Sequence, residues 1–463
     1  MLTSGISRRH ALQATAALPA AAALAGGALA QGAPARPEFN PRTWSFSVAE
    51  RDRRWAAVRA IMARPQWNLD AIITAISDLP GNTSRYLTQI GMRPGGGDGA
   101  EVVFPRDAAK TVSVQVSGAR FRDFWKQHAA GWMADGKLAV SADGGPEALA
   151  KGLTAIGLNR PGVRIGVAKL AGSRFDVDGL VGAVYLDKLK AALPGAAFVA
   201  IDRWGTDAGP IEESARNKGP EEQDAIRRAT AASEHGVAAM VAAIRAGART
   251  QGDLWFATYT AMFARTGEDP TRCSIGFNGT GNNTIGEPVG DPLQPGQIIN
   301  EELDATVQGY RAQVNHAVFV GSPSTPGYEY YRTGFEIAAT LIKEAPAAIV
   351  PGKTTIGEFV KRYVTRLDEL GADDASGVMF HSSGIGNLSR PRVGPSSATE
   401  EFEIVLAPGM TFDYKPAFRL KRSKLADVGA RNREIQVGEH FLVTADGAVR
   451  LGTRDIVPIA AQG

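Results

Sequence analysis

The chain reads QIINEELDATVQGYRAQVNHAVFV from residue 297 to residue 320. Two strand-like runs flank a glycine turn at residues 308–310, and this pattern predicts an antiparallel hairpin. Side chains two positions apart along a strand lie on one face, so Glu302 and Asp304 are expected to project together. The hairpin is therefore a candidate carrier of polar groups in a functional site.

Patterns typical of helices lie on both sides of this hairpin. They span about residues 220–247 and 250–267 before it, and about residues 328–345 and 355–370 after it. A proline at the first helical position and acidic residues in the first turn support the earliest of these helices. Two helix pairs beside mostly antiparallel strands predict an α+β domain over residues 206–463.

The first half of the chain has a different pattern. Short β-rich runs alternate with helical ones from about residue 44 to residue 203. This alternation predicts an α/β domain, residues 44–205, with a largely parallel or mixed sheet. A turn-rich stretch at residues 202–218 is the expected boundary between the two domains.

Composition excludes several classes of function. The 463 residues carry a formal net charge of +3, with basic and acidic residues interspersed, whereas binding to a phosphate backbone requires a basic patch. Nucleic acid is therefore not an expected partner. Beyond the N-terminus no run approaches the roughly 20 apolar residues of a membrane-spanning helix. The single cysteine, Cys273, cannot form an intrachain disulfide and is expected to pack as a small core residue.

The N-terminus has the pattern of an export signal. Arg8 and Arg9 precede an alanine-rich apolar run that ends in Ala28-Leu29-Ala30, a small-x-small cleavage pattern. Paired arginines before a mildly apolar region resemble a twin-arginine signal, with an ordinary secretory signal or an amphipathic helix as the alternatives. We expect residues 1–30 to be removed, which predicts a periplasmic protein that does not bind the membrane after cleavage.

Further segments carry a resemblance to a known family. In chain order they are NTSRYLTQ (82–89), NKGPEE (217–222), LAPGM (406–410) and LVT (442–444). Together with the hairpin they resemble the pita-bread fold family of proline aminopeptidases, prolidase and creatinase. The resemblance implies a creatinase-like N-terminal domain followed by a pita-bread catalytic-type domain, and it implies a homodimer.

The active enzymes of that family hold two divalent metals with two Asp, one His and two Glu. Aligned by the motifs, these five positions fall on Glu302, Gln313, His381 or Ser383, Lys415 and Gly438, so at least four of the five residues differ. A lysine ammonium about 4 Å from a divalent ion would be repelled by roughly 8 kcal/mol at an effective dielectric constant near 20. We therefore expect a divergent member that lacks the dinuclear site. A single ion held by Glu302, Asp304 and His381 is the alternative.

The remaining polar residues form the predicted site. His381, Glu302 and Lys415 are the candidates for proton transfer, and Lys415 is expected to pair with Glu302 or Asp304. The candidates for substrate binding are Asp304, Gln313, Asn315 and His316 on the hairpin, Ser383, Arg390 and Arg392 on the glycine-containing loop, and Glu439 on the closing strand. The two arginines are suited to an anionic group.

This set of residues predicts a metal-independent enzyme with no cofactor. Its expected reaction is cleavage of a carbon–nitrogen or carbon–carbon bond in a small non-peptide molecule, as a creatinase-like hydrolase or a lyase. Two alternatives remain open. One is a non-catalytic protein that binds a small molecule or peptide on the same fold, and the other is an Xaa-Pro metallopeptidase with an unusual ligand set.

Overall fold

A computed structural model of the chain describes residues 45–74, 82–90, 100–116, 118–171, 181–202, 208–277, 290–374, 377–385, 391–421 and 434–463. The predicted signal peptide and the candidate residue Arg390 lie outside these ranges. Among the helices in the described ranges, none has the length and apolar character needed to cross a membrane.

The first half of the chain forms a mixed six-stranded sheet. Its strands are β1 Ala71–Thr74, β2 Ala100–Pro105, β3 Val112–Val116, β4 Leu138–Ser141, β5 Arg164–Val167 and β6 Ala197–Ala200. In space they lie in the order β4-β3-β2-β1-β5-β6. The β1–β2 and β2–β3 pairs are antiparallel and the other three pairs are parallel. The mixed sheet expected for this half is confirmed.

Helices cover both faces of this sheet. They are α1 Val48–Met62, α2 Asn82–Thr88, α3 Ala119–His128, α4 Ala130–Met133, α5 Pro146–Ala155 and α6 Ala183–Ala192. Neighbouring residues of β1 point in opposite directions. Ile72 packs in one apolar cluster with Trp55 of α1, and Ile73 packs in another with Leu149 of α5. The strand is therefore buried on both faces, as its uninterrupted apolar sequence requires.

The second half contains five helices and twelve strands among the described residues. The helices are α7 Pro210–Arg216, α8 Pro220–Arg245, α9 Gln251–Thr266, α10 Tyr328–Glu344 and α11 Ile356–Glu369. The strands are β7 Arg272–Phe277, β8 Ile298–Val307, β9 Tyr310–His316, β10 Val318–Val320, β11 Ala372–Asp374, β12 Phe380–Ser382, β13 Arg392–Val393, β14 Thr411–Tyr414, β15 Ala417–Leu420, β16 Ile435–Val443, β17 Ala448–Arg450 and β18 Ile459–Ala461.

These strands build a large antiparallel sheet. Its main path is β13-β12-β14-β16-β9-β8-β10-β18, and β7 pairs with β8, β17 with β16, and β15 with both β16 and β11. The β10–β18 pair is parallel, and every other described pair in this sheet is antiparallel. Strand β16, which lies late in the chain, is inserted between β14 and β9.

Local sequence signals account for the helix ends. Thr250 caps α9 by accepting a hydrogen bond from the Asp253 backbone, and Gly267 ends that helix in the left-handed region at φ 67°. Thr355 caps α11 through Glu358 in the same way. The stretch at residues 202–218, expected to be turns, contains the short helix α7.

Residues Glu400–Glu403 form a short 3₁₀ helix, and Thr399 caps it by accepting from the backbone of Glu401. Three glutamates in four residues suit the positive end of a helical turn better than they suit a buried strand.

A buried charge network joins α1 to α8. Arg54, which is fully buried, donates from Nε to Glu50 Oε1 at 2.8 Å, and the same nitrogen lies 3.6 Å from Glu222 Oε1. Its guanidinium stacks over the Phe46 ring at 4.1 Å. Tyr310, at the start of β9, donates its hydroxyl proton to Glu222. The network therefore ties the hairpin of the second half to α1.

Candidate functional site

One row of side chains crosses the large sheet from edge to edge. Directly opposed pairs in the register are Arg272 with Asp304, Asp304 with Gln313, Asp413 with His440, His381 with Asp413, and His381 with Arg392. Opposed residues in antiparallel strands project to the same face. Strands β7, β8, β9, β16, β14, β12 and β13 therefore each contribute a polar side chain to one surface, and these side chains define the candidate site.

Lys415 and Glu302 form an ion pair beside this row. Lys415 Nζ lies 2.7 Å from Glu302 Oε1, and the lysine is only 4% exposed. Arg272 donates a second hydrogen bond to the same carboxylate. Although burial alone would raise the pKa of Glu302, these two cations hold it below its ordinary value. Of the two partners predicted for Lys415, the structure shows Glu302. A salt bridge therefore occupies two of the five positions that align with the family's metal ligands.

Two more arginines line the site. Arg311, two residues before Gln313, donates to Asp304 Oδ2 at 3.0 Å. Arg392 lies across from His381 in the β12–β13 pair. Burial lowers the pKa of Arg392, and the nearby guanidinium groups of Arg311 and Arg272 lower it further. The positive charge of these arginines suits an anionic group.

His381 is the centre of an acid–base pair. Its Nε2 lies 2.9 Å from Gln313 Oε1 and 3.2 Å from Asp413 Oδ2, and its Nδ1 lies 3.2 Å from the Ser382 carbonyl oxygen. Burial lowers the pKa of His381 well below its ordinary value and raises the pKa of Asp413 well above its own. Both shifts favour the state with fewest charges. The shifts favour a neutral imidazole beside a protonated carboxyl group, a base and an acid in contact.

Ser383 belongs to a neighbouring hydrogen-bonded group. Its Oγ contacts His440 Nε2 and lies 3.1 Å from Thr411 Oγ1, and the Thr411 hydroxyl donates to the Ser383 carbonyl oxygen at 3.0 Å. Burial lowers the pKa of His440 to about 3, so its ring is neutral at physiological pH. Both possible registers of the glycine-loop motif therefore place a residue on the site face, His381 in one and Ser383 in the other.

Two predicted site residues lie on the opposite face of the sheet. His316 packs against the Phe335 ring and its Nδ1 lies 3.1 Å from Arg454 Nε. Glu439 is ion-paired with Arg454 behind the sheet. His316 follows Asn315 and Glu439 follows Gly438, and both preceding positions face the site. Because successive side chains in a strand point to opposite faces, His316 and Glu439 point away from the site. Asn315 does lie on the site face, with its oxygen directed at Gly438. Arg390 falls outside the described residues, so its predicted role has no structural counterpart.

The five family positions do not fit a pair of divalent cations. A Cβ added to Gly438 would lie 2.3 Å from Asn315 Oδ1 and 2.9 Å from Lys415 Cβ, so a carboxylate-bearing side chain has no room there. Within the described ranges, no three His, Cys, Asp or Glu side chains are grouped as metal ligands. Glu302, Asp304 and His381, the alternative single-ion set, are instead engaged with Lys415, Arg311 and Asp413, respectively.

Four residues of the site were missed by sequence reasoning. They are Arg272, Arg311, Asp413 and His440. Three of them lie two residues from a position aligned with a family ligand, and this spacing alone puts them on the same strand face. Arg272 lies on β7, which pairs with β8, and its position could be found only from the strand register.

Behind β12, Lys218 is buried against Ser382. Its Nζ donates to the Arg216 carbonyl oxygen at 3.0 Å and to Ser382 Oγ at 3.3 Å. Burial lowers the pKa of Lys218 from the ordinary 10.5 to about 7. Glu301 is also buried, and burial raises its pKa to about 8.

Stability is therefore expected to rise with pH above the range in which Glu301 titrates. The folded state releases the Lys218 proton near pH 7, whereas the unfolded chain keeps it until about pH 10.5, so the unfolded state binds more protons between these values. Lys218 is expected to contribute an increase of about 2 kcal/mol to the free energy of unfolding between about pH 8 and pH 10. Urea unfolding of the parent and of Lys218→Met checks this, because the parent curve should rise by that amount relative to the variant curve. Parallel curves would contradict the prediction.

Sequence and structure comparisons show which proteins this chain resembles. The profile of metallopeptidase family M24 matches residues 224–445. The fold is similar to that of X-Pro aminopeptidase from Thermotoga maritima, with a TM-score of 0.66 and 16% identity over 85% of this chain and 98% of that one. It is also similar to the prolidase from Pyrococcus horikoshii, with a TM-score of 0.64 and 17% identity over 87% and 99%. No curated protein sequence shows a significant match.

A third similar structure is the N-terminal domain of FACT complex subunit SPT16 from Cicer arietinum, with a TM-score of 0.63 and 11% identity over 90% of this chain and 100% of that one. The chain thus has the pita-bread fold and carries an M24 domain. At the positions aligned with that family's metal ligands, the residues of this chain are largely replaced. The resemblance inferred from the sequence motifs is confirmed.

Proposed function

We propose that this protein is a metal-independent enzyme that cleaves a carbon–nitrogen or carbon–carbon bond of a small polar, non-peptide molecule in the periplasm. The observation that carries the proposal is the His381–Asp413 pair. It is buried, it sets an imidazole nitrogen 3.2 Å from a carboxyl oxygen, and it lies on the same sheet face as the Lys415–Glu302 ion pair. A positioned acid and base of this kind can accelerate proton transfer to a reacting group by about 100-fold to 10,000-fold.

Each group in the row has a role in this proposal. His381 takes a proton from water, for hydrolysis, or from the substrate, for a lyase reaction, and Asp413 returns one to the departing atom. Lys415 stabilises negative charge that develops near Glu302. Arg392 binds an anionic part of the substrate, and the amide of Gln313 orients it.

Replacing His381 by glutamine is expected to reduce turnover by at least about 100-fold. Glutamine can still form hydrogen bonds, but its amide cannot accept a proton as the imidazole nitrogen does. The measurement is a screen of small amides, ureas, amidines and carbon acids against the mature protein, followed by kinetics of the variant. His235→Gln is the matched control, since His235 lies on α8 outside the site. Equal activity of His381→Gln and the parent would contradict the assignment.

Metal content provides a second test. Protein purified from the periplasm without chelator is expected to contain less than about 0.1 equivalent of Mn, Fe, Co or Zn, because Lys415 and Gly438 replace two carboxylates that would neutralise the cations. Elemental mass spectrometry measures this directly. One or two equivalents, together with turnover of Xaa-Pro dipeptides in added Mn²⁺ or Co²⁺, would contradict the proposal and favour an unusual metallopeptidase.

A binding protein is the second candidate, and one observation favours it. Charged side chains of the site already form ion pairs with each other, Lys415 with Glu302 and Arg311 with Asp304. If the protein only binds its ligand, Lys415→Met changes ligand affinity in calorimetry while no compound in the screen is turned over by the parent.

A further inference from the structure

We propose that a cavity between α10 and α11 is a second binding site, that it takes a small neutral aromatic molecule with a carbonyl group, and that its occupant contacts the back of the candidate site. The cavity has a volume of about 480 Å³, within the roughly 300–1,000 Å³ typical of small-molecule sites. The proposal goes beyond the proposed function, because binding here does not require the protein to be an enzyme.

The floor of the cavity is apolar and aromatic. It is formed by Leu341, Phe359 and Tyr414, each at most 3% exposed. The rings of Phe359 and Tyr414 meet edge to face, with their centroids 5.1 Å apart. Ala345 and Ala348, at the two ends of a 3₁₀ helix that follows α10, line the cavity with small side chains. A surface of this kind favours an aromatic ligand.

One polar group lies at this floor without a partner. The Tyr414 side chain is only 2% exposed, and its hydroxyl forms no hydrogen bond with any residue that the structure describes. Burial raises the pKa of Tyr414, and the negative charge of Glu344 raises it further, so the hydroxyl keeps its proton. A buried hydroxyl without a partner costs free energy. A ligand carbonyl oxygen that accepts this proton in a hydrogen bond would offset that cost.

The charged groups around the cavity favour a neutral ligand. Arg366 of α11 donates to both carboxylate oxygens of Glu344 of α10 at 2.9 Å. Arg362 donates to the Ala348 carbonyl oxygen at 2.7 Å, and Lys361 is exposed to solvent. These groups form the rim of the cavity and are paired or hydrated, whereas the floor is apolar. A charged ligand would lose its own hydration at the floor without gaining a counter-charge.

The floor also packs against the back of the candidate site. Phe359 contacts Phe380 and Phe412, with ring centroids 5.8 Å and 6.0 Å away. Phe380 directly precedes His381, and Phe412 directly precedes Asp413, so on each strand the aromatic ring and the site residue point to opposite faces. A ligand on Phe359 is therefore one aromatic ring away from the strands that hold the acid–base pair.

A pair of probes tests the cavity without a known ligand. Acetophenone is a neutral aromatic ketone, and α-methylstyrene is an isostere that lacks the oxygen. We expect saturable binding of acetophenone to the protein in ligand-observed NMR, at least about five-fold tighter than that of α-methylstyrene. Tyr414→Phe should weaken acetophenone binding about five-fold and leave α-methylstyrene binding unchanged. Ala348→Trp fills the cavity and should abolish the binding of both probes.

Tyr363→Phe is the matched control. Tyr363 also lines the cavity, but its hydroxyl donates to Asp374 at 2.8 Å, so the variant should bind both probes like the parent. Labelling the histidine rings with ¹³C reports on the candidate site, with the signal of His381 identified by its loss in His381→Gln. Acetophenone should shift this signal and leave that of His128, which lies on α3, in place.

Several outcomes would overturn the proposal. They are equal binding of the two probes by the parent, equal loss of both in Tyr414→Phe, and binding that survives Ala348→Trp. Self-association of the parent that Ala348→Trp abolishes would show instead that this face joins two copies of the chain. A bound probe that leaves the His381 signal in place contradicts the contact with the candidate site. Thermal unfolding of each variant confirms that a loss of binding does not come from loss of the fold.

Discussion

Gly438→Glu is expected to lower the free energy of unfolding by about 3 kcal/mol or more, because the new side chain overpacks a buried strand and buries a carboxylate. This substitution restores the family's residue at the position. Asn315 could turn its amide aside, but Lys415 Cβ, 2.9 Å from the added Cβ, is fixed to the backbone between β14 and β15. Urea denaturation with coincident fluorescence and circular dichroism measures the loss.

Two controls separate packing from charge. Gly438→Ala adds the Cβ alone and should cost about 1–3 kcal/mol. Gly290→Ala should change stability by less than about 0.5 kcal/mol, because Gly290 is exposed and a Cβ there meets no atom within 4 Å. If Gly438→Glu is as stable as the parent, the site has room for a carboxylate. The argument that the ligand position has been filled would then fail.

Arg54→Met is expected to cost about 3–5 kcal/mol, the range found when one partner of a buried ion pair is removed. The substitution leaves the carboxylate of Glu50 and the neighbouring Glu222 with less compensation in a site that excludes water. It also removes the cation stacked on Phe46. The measurement is again urea unfolding, with the midpoint and slope fitted separately.

Arg228→Met is the matched control for this network. Arg228 forms an exposed pair with Asp224 on the same helix, and such pairs contribute about 0.3–0.5 kcal/mol. If the two variants are equally stable, the buried network does not hold α1 against α8. A large loss for Arg54→Met alone supports it.

Sequence reasoning recovered the parts of the fold that depend on local signals. The hairpin was predicted from its glycine turn, and the helices α9 and α11 from their helical patterns, and both helices begin at capping residues that make their hydrogen bonds. Lys415 was expected to pair with Glu302 or Asp304, and the pair with Glu302 is present. These predictions depended on patterns among neighbouring residues or on the order of motifs along the chain. Both can be read from a single sequence.

The rest of the site depends on strand register. Asp413 reaches His381 only because β14 pairs with β12 at that offset, and no local pattern specifies the offset. His316 and Glu439 were grouped with the site by their place in the motifs, although alternation along a strand puts them behind the sheet. Roles in catalysis or binding for the site residues stay predictions. So do the domain boundaries, the export signal, the periplasmic location and the homodimer.

The central place of β16 determines when the site can exist during synthesis. This strand begins at Ile435 and lies between β9, which ends at His316, and β14. During synthesis the β8–β9 hairpin is therefore complete long before β16, the strand that connects this hairpin to β14 in the sheet, has been made. Until then both strands present open hydrogen-bonding edges, which favour mispairing. A chain cut before residue 435 is expected to be aggregation-prone rather than a smaller version of the protein.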